Sequence, residues 1–282
     1  MRENFKQLNL VLLVLILANV LVWQPVVFGA DDSLKLFFLD VGQGDSQLVD
    51  FAGIQILIDG GKGPAVLSGI GKVLLPGDHY LDIVIATHPD LDHFGGLIDV
   101  FKTYEVGLVI TNGRKGTAAA YADFEKVIAE RKIPTAVMSA GDSVEYGDLT
   151  LTALYPDIAG AEHKKVNESG LVLMLEKDGL RALYTADIGF ETEQKLLSRY
   201  DLSAQILKVG HHGSKYSTGK GFLNEVQPKV AVIGVGRNSY GHPTDSALDR
   251  LADIGSKIFR TDREGTIRAT FDKRVLSVYN QR

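Results

Sequence analysis

The feature that most constrains the fold is a segment of six residues, 88–93, whose sequence is His-Pro-Asp-Leu-Asp-His. It follows an apolar, β-branched run at residues 83–87 and precedes Gly95 and Gly96. This order is typical of a buried strand that ends in a loop and leads into a helix. Imidazole and carboxylate groups bind divalent metals, and a surface loop has no structural need for four of them here. The segment therefore predicts a metal-dependent hydrolase. Its expected metal ligands are His88, Asp90, Asp92 and His93.

Composition excludes several kinds of site. The 282 residues are 45% hydrophobic and 23% charged, which is ordinary for a globular protein of one large α/β domain or two small ones. The chain has no cysteine, so disulfides, cysteine nucleophiles and thiolate-bound zinc are excluded. Its net charge is −5, so a bound polyanion would have to meet a local basic patch rather than a broadly positive surface.

The first 30 residues differ from the rest of the chain. Basic residues precede an apolar run at residues 8–22, which resembles a secretory signal peptide. A retained membrane anchor at residues 8–30 is the alternative, although a span needs about 20 apolar residues. A buried core helix is a third interpretation. As a signal or an anchor, the segment predicts that the domain at residues 33–282 acts outside the cytoplasm, either secreted or attached to the membrane.

After residue 33, short β-like runs alternate with glycine turns and helical segments. The predicted strands are 36–39, 47–50, 54–58, 83–86, 106–110, 143–146, 149–154, 171–176, 180–185, 205–209, 230–235, 266–271 and 275–279. The predicted helices are 64–75, 95–104, 118–131, 191–199 and 244–254. The second half begins near Gly141, and each half contributes strands and then helices. Two sheets packed face to face with helices outside fit this order, in the α+β or α/β class.

Later strands also end in candidate ligands. Asp187 follows an apolar strand, and one carboxylate can bridge two metals, although a helix cap is an equal alternative for it. His211 and His212 follow the next strand. Adjacent side chains do not easily face one metal, so we expect one to be a ligand and the other to contact a ligand or substrate. His242 follows the strand at residues 230–235.

Other polar residues are expected to support or line the site. Asp59 ends an apolar strand and is expected to brace its loop by accepting backbone N–H groups, whereas His79 and His163 are assigned to the surface. A local positive rim is one interpretation, and solvated surface charge an equal one, for Lys208, Lys215, Lys220 and Arg237. The residues expected to contact substrate are Gln43, Asp45, Asn167, Ser214, Lys215 and Asn238.

These motifs resemble those of the metallo-β-lactamase superfamily. Residues 88–96 resemble its His-x-(His/Asp)-x-Asp-His signature. Residues 39–46, 58–61, 185–187 and 208–214 resemble the ComEC-type branch, which contains the extracytoplasmic domain of a DNA-uptake channel protein and free-standing relatives. The resemblance implies a free-standing hydrolase domain with a four-layer αββα sandwich and a binuclear metal site at the edge between the two sheets.

The resemblance also implies which residues bind metal. Position by position it assigns His88 and Asp90 to one metal, Asp92 and His93 to the other, Asp187 as the bridging acid, and His211 or His212, together with His242, as late histidines. The chain departs from the common pattern in two ways. Asp90 stands where most members have histidine, and no well-placed histidine lies between His93 and Asp187. The two divalent ions are therefore expected to be zinc or manganese, without a choice between them.

The expected activity is metal-assisted hydrolysis of a phosphodiester, above all in DNA, by water activated at the metals. The expected catalytic residues are Asp92, His212 and His242, and either histidine would protonate the leaving oxygen or hold a phosphate. One alternative is a phosphoester hydrolase for cell-envelope polymers or small molecules, similar to choline esterases of the same superfamily. Another is a non-catalytic, metal-stabilised module that binds DNA or polymer.

Overall fold

Two mixed β-sheets dominate the fold, seen in a computed structural model that describes residues 32–161 and 163–281. Within these ranges, no helix combines the length and the apolar character that a membrane crossing requires. The predicted signal peptide or anchor at residues 1–30 lies outside the described residues.

Fifteen strands are described. In chain order they are β1 (Leu34–Phe38), β2 (Gln47–Phe51), β3 (Ile54–Ile58), β4 (Tyr80–Ala86), β5 (Glu105–Thr111), β6 (Thr135–Val137), β7 (Ser143–Tyr146), β8 (Leu149–Tyr155), β9 (Val172–Lys177), β10 (Leu180–Tyr184), β11 (Ile206–Lys208), β12 (Val230–Ile233), β13 (Lys257–Arg260), β14 (Thr266–Asp272) and β15 (Val275–Gln281). The first sheet has the order β15-β14-β1-β2-β3-β4-β5-β6, and the second has the order β13-β12-β11-β10-β9-β8-β7.

Helices cover the outer faces of both sheets. They are α1 (Ala65–Val73), α2 (Leu91–Phe94), α3 (Leu97–Thr103), α4 (Ala119–Arg131), α5 (Ile158–Ala161), α6 (Phe190–Leu197), α7 (Lys220–Val226), α8 (Asp245–Asp253) and α9 (Thr261–Glu264), with 3-10 turns at Asn167–Ser169 and Gly210–Gly213.

Three apolar clusters hold the four layers of the fold together, one between the two sheets and one between each sheet and its helices. Side chains alternate between the two faces of a strand, so Leu36 and Phe38 of β1 pack in the cluster between the sheets, while Phe37 packs beneath α1, α3 and α4. Phe38 stacks on Tyr184 of the second sheet with ring centroids 6.1 Å apart. A third cluster lies between the second sheet and α6, α7 and α8. The predicted αββα sandwich is confirmed.

The helix predicted at residues 95–104 is wrong at its start. The structure has α2 inside the ligand segment and a break before α3. The break has a clear cause: the Gly96 N–H donates to the Gly61 carbonyl (2.9 Å), and the Asp92 carbonyl accepts from the Asp45 N–H (3.1 Å). The helical bond between Asp92 and Gly96 is therefore replaced by two bonds to other loops.

The first sheet also contains strands from the second half of the chain. β14 and β15 return to the first sheet, where Leu36 of β1 lies opposite Ala269 of β14. The chain ends of the domain are thus neighbours in one sheet.

The strand directions position the site. β3, β4, β5 and β6 are mutually parallel, as are β10, β11, β12 and β13. Parallel strands place their carboxyl ends at one edge of a sheet. We call the edge of the sandwich where β4, β10, β11 and β12 end the site edge, and the candidate ligands follow these strand ends.

Candidate metal centre

Four buried side chains from both sheets meet at the site edge. His88 follows β4 of the first sheet, and His93 lies on α2, the short helix that comes next. Asp187 follows β10 and His212 follows β11, which belong to the second. Each of the four is at most 3% exposed. The site is therefore assembled by closing the two sheets on each other.

The two oxygens of Asp187 face two different groups of ligands. Its Oδ1 lies 3.4 Å from His93 Nε2, and its Oδ2 lies 3.5 Å from His212 Nε2. His88 joins His93 and Asp187 in one group whose ligand atoms lie within 4.8 Å of one another. Asp92 joins the other side, with its Oδ2 3.3 Å from His212 Nε2. Asp187 is placed between two sets of ligands, as a bridging carboxylate would be.

Buried polar atoms without hydrogen-bond partners indicate whether the residues of this centre suit metal ions. In the described part of the chain, His88 Nε2, His93 Nε2, His212 Nε2 and Asp187 Oδ1 are buried and accept or donate no hydrogen bond. Leaving a buried polar atom unpaired costs about 1–3 kcal/mol, so such atoms are rare and need an explanation. Here the four lie around the carboxylate of Asp187, and imidazole with carboxylate is a usual ligand set for divalent metals. The residues fit divalent metal ions.

The other ring nitrogens fix the tautomers that metal binding needs. His93 Nδ1 donates to Asp59 Oδ2 (2.7 Å), and His212 Nδ1 donates to the Gly234 carbonyl (2.8 Å). His88 Nδ1 lies 2.9 Å from a neighbouring hydroxyl. With Nδ1 protonated in each ring, the lone pair of a neutral imidazole is on Nε2 and points into the centre.

Asp59 braces the loop, as predicted, and it does more. Its carboxylate accepts the Thr87 N–H (2.8 Å) and the Thr87 hydroxyl (2.7 Å), besides the imidazole of His93. The same Thr87 hydroxyl contacts His88. One buried acid thus orients both histidines from the first sheet. The sequence signal for the loop was an acid at a strand end, but the contact with His93 has no local signal.

Electrostatics favour cations in the centre. Burial acts to raise the pKa of Asp187, but the facing His212 and His93 hold it well below its usual range. Burial likewise acts to raise the pKa of Asp92, and the nearby imidazoles of His212 and His93 lower it to about 2. Burial acts to lower the pKa of His212, yet Asp187 and other acids raise it to about 10. Burial lowers the pKa of His88 to about 3. Metals binding here would replace protons on His93 and His212.

The His211-His212 turn sends the two rings in different directions. Both residues have left-handed backbone, with φ of 48° and 52°, a conformation that is sterically unfavourable without glycine. Their ring centroids lie 6.3 Å apart and the planes cross at 76°. His212 is buried in the ligand group, whereas His211 is 32% exposed, with Nε2 3.8 Å from Asp187 Oδ2 and 3.2 Å from Asn167 Nδ2. Geometry places His212 among the ligands and His211 at the open side.

Two further predicted ligands lie outside the compact groups. Asp90 is half-exposed, with Oδ2 3.8 Å from His88 Nε2. His242 is half-buried, with its ring 5.5 Å from that of His211 and stacked against Tyr240 at 5.7 Å. Both residues line the mouth of the centre rather than its floor. The helix-cap alternative for Asp187 is wrong, because Gly189 caps α6 and no side chain bonds there.

The centre opens into a cleft. A cavity of about 230 Å³ is lined by Gln43, Asp90, Asp92, Asn167, Asp187, His211, His212, Tyr240 and His242. A second cavity of about 590 Å³ shares Asn167, Asp187 and His211 with it and extends to Tyr216. Of the described residues between His93 and Asp187, only Asn167 lines the smaller cavity. The sequence has no well-placed histidine between His93 and Asp187, and in the structure the amide of Asn167 is the side chain from that stretch that lines the smaller cavity.

The residues predicted to contact substrate divide into two sets. Gln43 and Asn167 line the cleft, and Lys215 is exposed beside it. Asn238 donates to the carbonyls of Gly236 and His242 and so shapes its own loop. Ser214 and Asp45 are 2% and 1% exposed and line neither cavity.

Asp45 and Lys208 form a buried ion pair, which the sequence did not indicate. Lys208 is 1% exposed, and its ammonium contacts the Asp45 carboxylate and donates to the Val209 carbonyl. The Asp45 Oδ1 lies 3.3 Å from His212 Nδ1. The interpretation of Lys208 as part of a surface rim is wrong, because a strand that is buried on both faces leaves its ammonium no access to water. The other three basic residues of that rim, Lys215, Lys220 and Arg237, are exposed.

The surface assignments hold for His79 and only in part for His163. His79 is exposed. His163 is half-buried and its Nε2 lies 3.1 Å from Glu191, at the rim of the larger cavity.

The chain is similar to proteins of one family in sequence and structure. The family model described as metallo-beta-lactamase superfamily matches residues 40–237. Over 265 residues the chain is 34% identical to ComE operon protein 3 of Bacillus subtilis (strain 168), covering 86% of this chain and 34% of that protein. Over 260 residues it is 32% identical to competence protein ComA of Neisseria gonorrhoeae, covering 90% and 34%. The chain spans about a third of each relative.

The fold also has counterparts among solved structures. The metallo-beta-lactamase fold protein YhfI from Bacillus subtilis aligns with a TM-score of 0.60 at 13% identity. The alignment covers 85% of this chain and all of that protein.

Proposed function

The chain belongs to the metallo-β-lactamase superfamily and has homologues among ComEC-type competence proteins, and on this premise we propose that it is an exported nuclease. It cleaves phosphodiester bonds in DNA with the help of two divalent metal ions, zinc or manganese. Export rests on the signal-like or anchor-like composition of residues 1–30.

One observation carries the proposal of two metals. The oxygens of Asp187 face His93 on one side and His212 on the other, and the imidazole Nε2 atoms there are buried without partners. A single ion would satisfy one side and leave the other unpaired. Two ions, with Asp187 as a shared ligand, would satisfy both.

When bound, two such ions would stabilise the charge on the phosphate oxygens and make water a better nucleophile. The side chains supply the rest. His88, His93 and His212 hold their Nε2 lone pairs inward, fixed by the partners of Nδ1. His242 is half-buried at the mouth, and we infer that its imidazole gives a proton to the leaving oxygen. Asn167 and His211 line the path between the two cavities and would orient the phosphate.

Aromatic side chains at the cleft support a nucleic-acid substrate. Tyr240 and Tyr216 are 72% and 65% exposed and lie at the two cavities that meet above Asp187. Bases stack on exposed aromatic rings, at about 1–3 kcal/mol per base in single-strand binders. Lys215, beside Tyr216, adds a cation near the same path. The name of one homologue, competence protein ComA, agrees with a task that involves DNA.

The acidic charge balance favours a second candidate, a phosphoester hydrolase for envelope polymers or small molecules. The net charge is −5, and Asp90 and Asp92 add negative charge at the cleft. A long polyanion meets more of this repulsion than a small ester does.

The decisive experiment compares substrates on the full chain loaded with manganese or with zinc. Single-stranded DNA, bis-p-nitrophenyl phosphate and a phosphorylcholine ester are assayed side by side. We expect DNA and the diester to be cleaved. Cleavage of the choline ester alone would sink the nuclease proposal in favour of the second candidate.

Asp187→Asn distinguishes an enzyme from a binding module. The amide cannot bridge two cations, so we expect the metal content to fall from two ions towards one and hydrolysis to be lost, while DNA binding persists. Asp249→Asn, on the exposed face of α8, is the matched control and should keep both ions. If the metal-loaded wild type binds DNA but cleaves none of the three substrates, the protein is a binding module.

A further inference from the structure

A basic, partly apolar surface lies at the edge of the sandwich opposite the site edge. We define the basic pole as Lys229, Lys257, Lys273, Arg274 and Val275. These residues line or border a groove of about 660 Å³ at the point where β10, β11, β12 and β13 begin. Because parallel strands begin at the edge opposite their carboxyl ends, the basic pole and the metal centre face away from each other.

The cations of the basic pole are not neutralised. Lys229, Lys257, Lys273 and Arg274 are all exposed, and none forms an ion pair within residues 32–161 and 163–281. The nearby Lys177 differs, because it contacts Asp148 (2.6 Å) and Asp178 (3.0 Å), and Asp178, which also lines the groove, is thereby paired. Four unpaired cations on a protein with a net charge of −5 mark a surface that attracts anions.

The turn that carries two of these cations is sterically unfavourable. Lys273 and Arg274 connect β14 to β15 as a two-residue turn with φ of 48° and 67°. Such a turn favours Asn-Gly or another pair with glycine. The turns Ala52-Gly53 and Asp178-Gly179 follow that rule. Sequence positions that break a local rule are found at functional sites, and here two long cations replace the favoured pair.

The groove itself is apolar, and the chain enters the domain beside it. Phe271 and Leu276 line the groove, and Val275, at the tip of the hairpin, is 61% exposed. β1 begins with Leu34, which lies opposite Phe271. The apolar residues 8–22 precede this point in the sequence. In the sequence, only a short stretch of chain therefore separates the apolar residues 8–22 from Leu34 beside the groove.

We propose that the basic pole docks on the surface of an anionic phospholipid bilayer and leaves the metal centre facing away from it. The cations meet the lipid phosphates, and Val275 enters the boundary between headgroups and acyl chains. Each basic residue near an anionic surface contributes about fivefold to binding. A nucleic acid would use the cations but not the apolar floor, and from here it could not reach the metal centre.

The absence of cysteine allows a direct test on the full chain. Val275→Cys gives a single attachment point for an environment-sensitive fluorophore. With vesicles of phosphatidylglycerol we expect its emission to shift to the blue and its iodide quenching to fall. The same label at Ser239→Cys, in an exposed loop of the site edge, should respond to neither.

Lys273→Asn/Arg274→Gly removes two charges while installing the favoured turn, so unfolding cannot explain a loss. With Val275→Cys in place, we expect about 25 times more anionic lipid to be needed for half of the shift. Lys62→Gln/Arg263→Gln, two exposed cations at the site edge, should leave the lipid requirement unchanged.

Three results would each overturn the proposal. The label at residue 275 could stay in water with anionic vesicles, respond equally to phosphatidylcholine vesicles, or respond to a single-stranded oligonucleotide and not to vesicles. None of these measurements depends on hydrolysis, so the docking surface and the proposed nuclease stand or fall separately.

Discussion

Among single residues, Asp59 controls more of the metal centre than its position outside the ligand set suggests. It holds His93 directly and His88 through the Thr87 hydroxyl. Carboxylates that orient metal-binding histidines fix the ring tautomer and raise the basicity of the ligand atom.

Asp59→Asn is expected to weaken metal binding by about 10–100-fold, because an amide can present N–H to His93 and so favour the wrong tautomer. Competition with a chelator measures the change. Asp82→Asn is the matched control, since Asp82 accepts the Gln55 N–H (2.9 Å) near the other end of β4. Equal chelator resistance in both variants would show that Asp59 serves the loop alone.

The residue types at the centre were predictable, and their partners were not. His88, Asp92 and His93 stand together in the sequence after an apolar strand, so their chemistry is local information. The partner of Lys208 is Asp45, on a loop of the other sheet. No local pattern distinguishes a buried lysine with a distant partner from an exposed one.

Among the helices, α6 is anchored to the loop after His212 by a buried acid. Glu193 accepts the backbone N–H groups of Thr218 and Gly219. Burial, with a smaller effect of Glu168, raises the pKa of Glu193 from 4.5 to about 7, against the opposing influence of those N–H groups and of Arg250. The neutral form is therefore favoured in the folded protein over a range where the unfolded chain is ionised.

A raised carboxyl pKa stabilises the folded state below pH 4.5, and this contribution is lost as the pH rises through about 7. In Glu193→Gln the side chain does not titrate, so this pH-dependent contribution to stability is absent. The stability of the wild type relative to Glu193→Gln is therefore expected to fall by roughly 3 kcal/mol between pH 4.5 and pH 8. Urea unfolding at both pH values measures it.

Glu225→Gln, exposed on α7, is the control and should track the wild type at both pH values. A constant difference between wild type and Glu193→Gln would contradict the assignment.

Strongly patterned elements were predicted to within a few residues, whereas some short ones were missed. The hairpin across Ala52-Gly53 and the helix α4 (Ala119–Arg131) follow from turn chemistry and from apolar periodicity. β6 and β13, with three and four residues, and α7, with seven, were missed because they are short and lack an apolar run or period that distinguishes them. The pairing of β14 with β1 is non-local and has no sequence signal.

Across the whole molecule, the two sheets are joined at the site edge by the Asp45–Lys208 ion pair. Asp45 lies on the loop between β1 and β2, and Lys208 ends β11. Removing one partner of a buried pair leaves the other charge without compensation.

Lys208→Met is expected to destabilise the protein by about 3–5 kcal/mol. Lys177→Met is the matched control. Lys177 is also buried, but its partners Asp148 and Asp178 are half-exposed and stay hydrated, so its loss should cost about 1 kcal/mol. Equilibrium unfolding measures both. Similar losses would mean that the charge on Asp45 finds water or a proton.

Metal removal should destabilise the contact between the two sheets at the site edge, because the ligands come from both sheets. An ion present at 100 times its dissociation constant adds about 2.7 kcal/mol. The metal-loaded chain is therefore expected to melt roughly 5–10 °C higher per ion than the chelator-treated chain. Calorimetry measures the shift, and Asp187→Asn should show about half of it. An unchanged melting temperature would contradict a metal centre built by both sheets.

The pairing of β1 with β14 also determines when the first sheet can form during synthesis. Leu36 is synthesised 233 residues before its partner Ala269, a delay on the order of 10–50 s at common translation rates. Throughout that interval one side of β1 has no neighbour, and an open strand edge invites pairing with other chains. The first sheet can close only after β14 has been synthesised, so until then a nascent chain stays open to binding by chaperones.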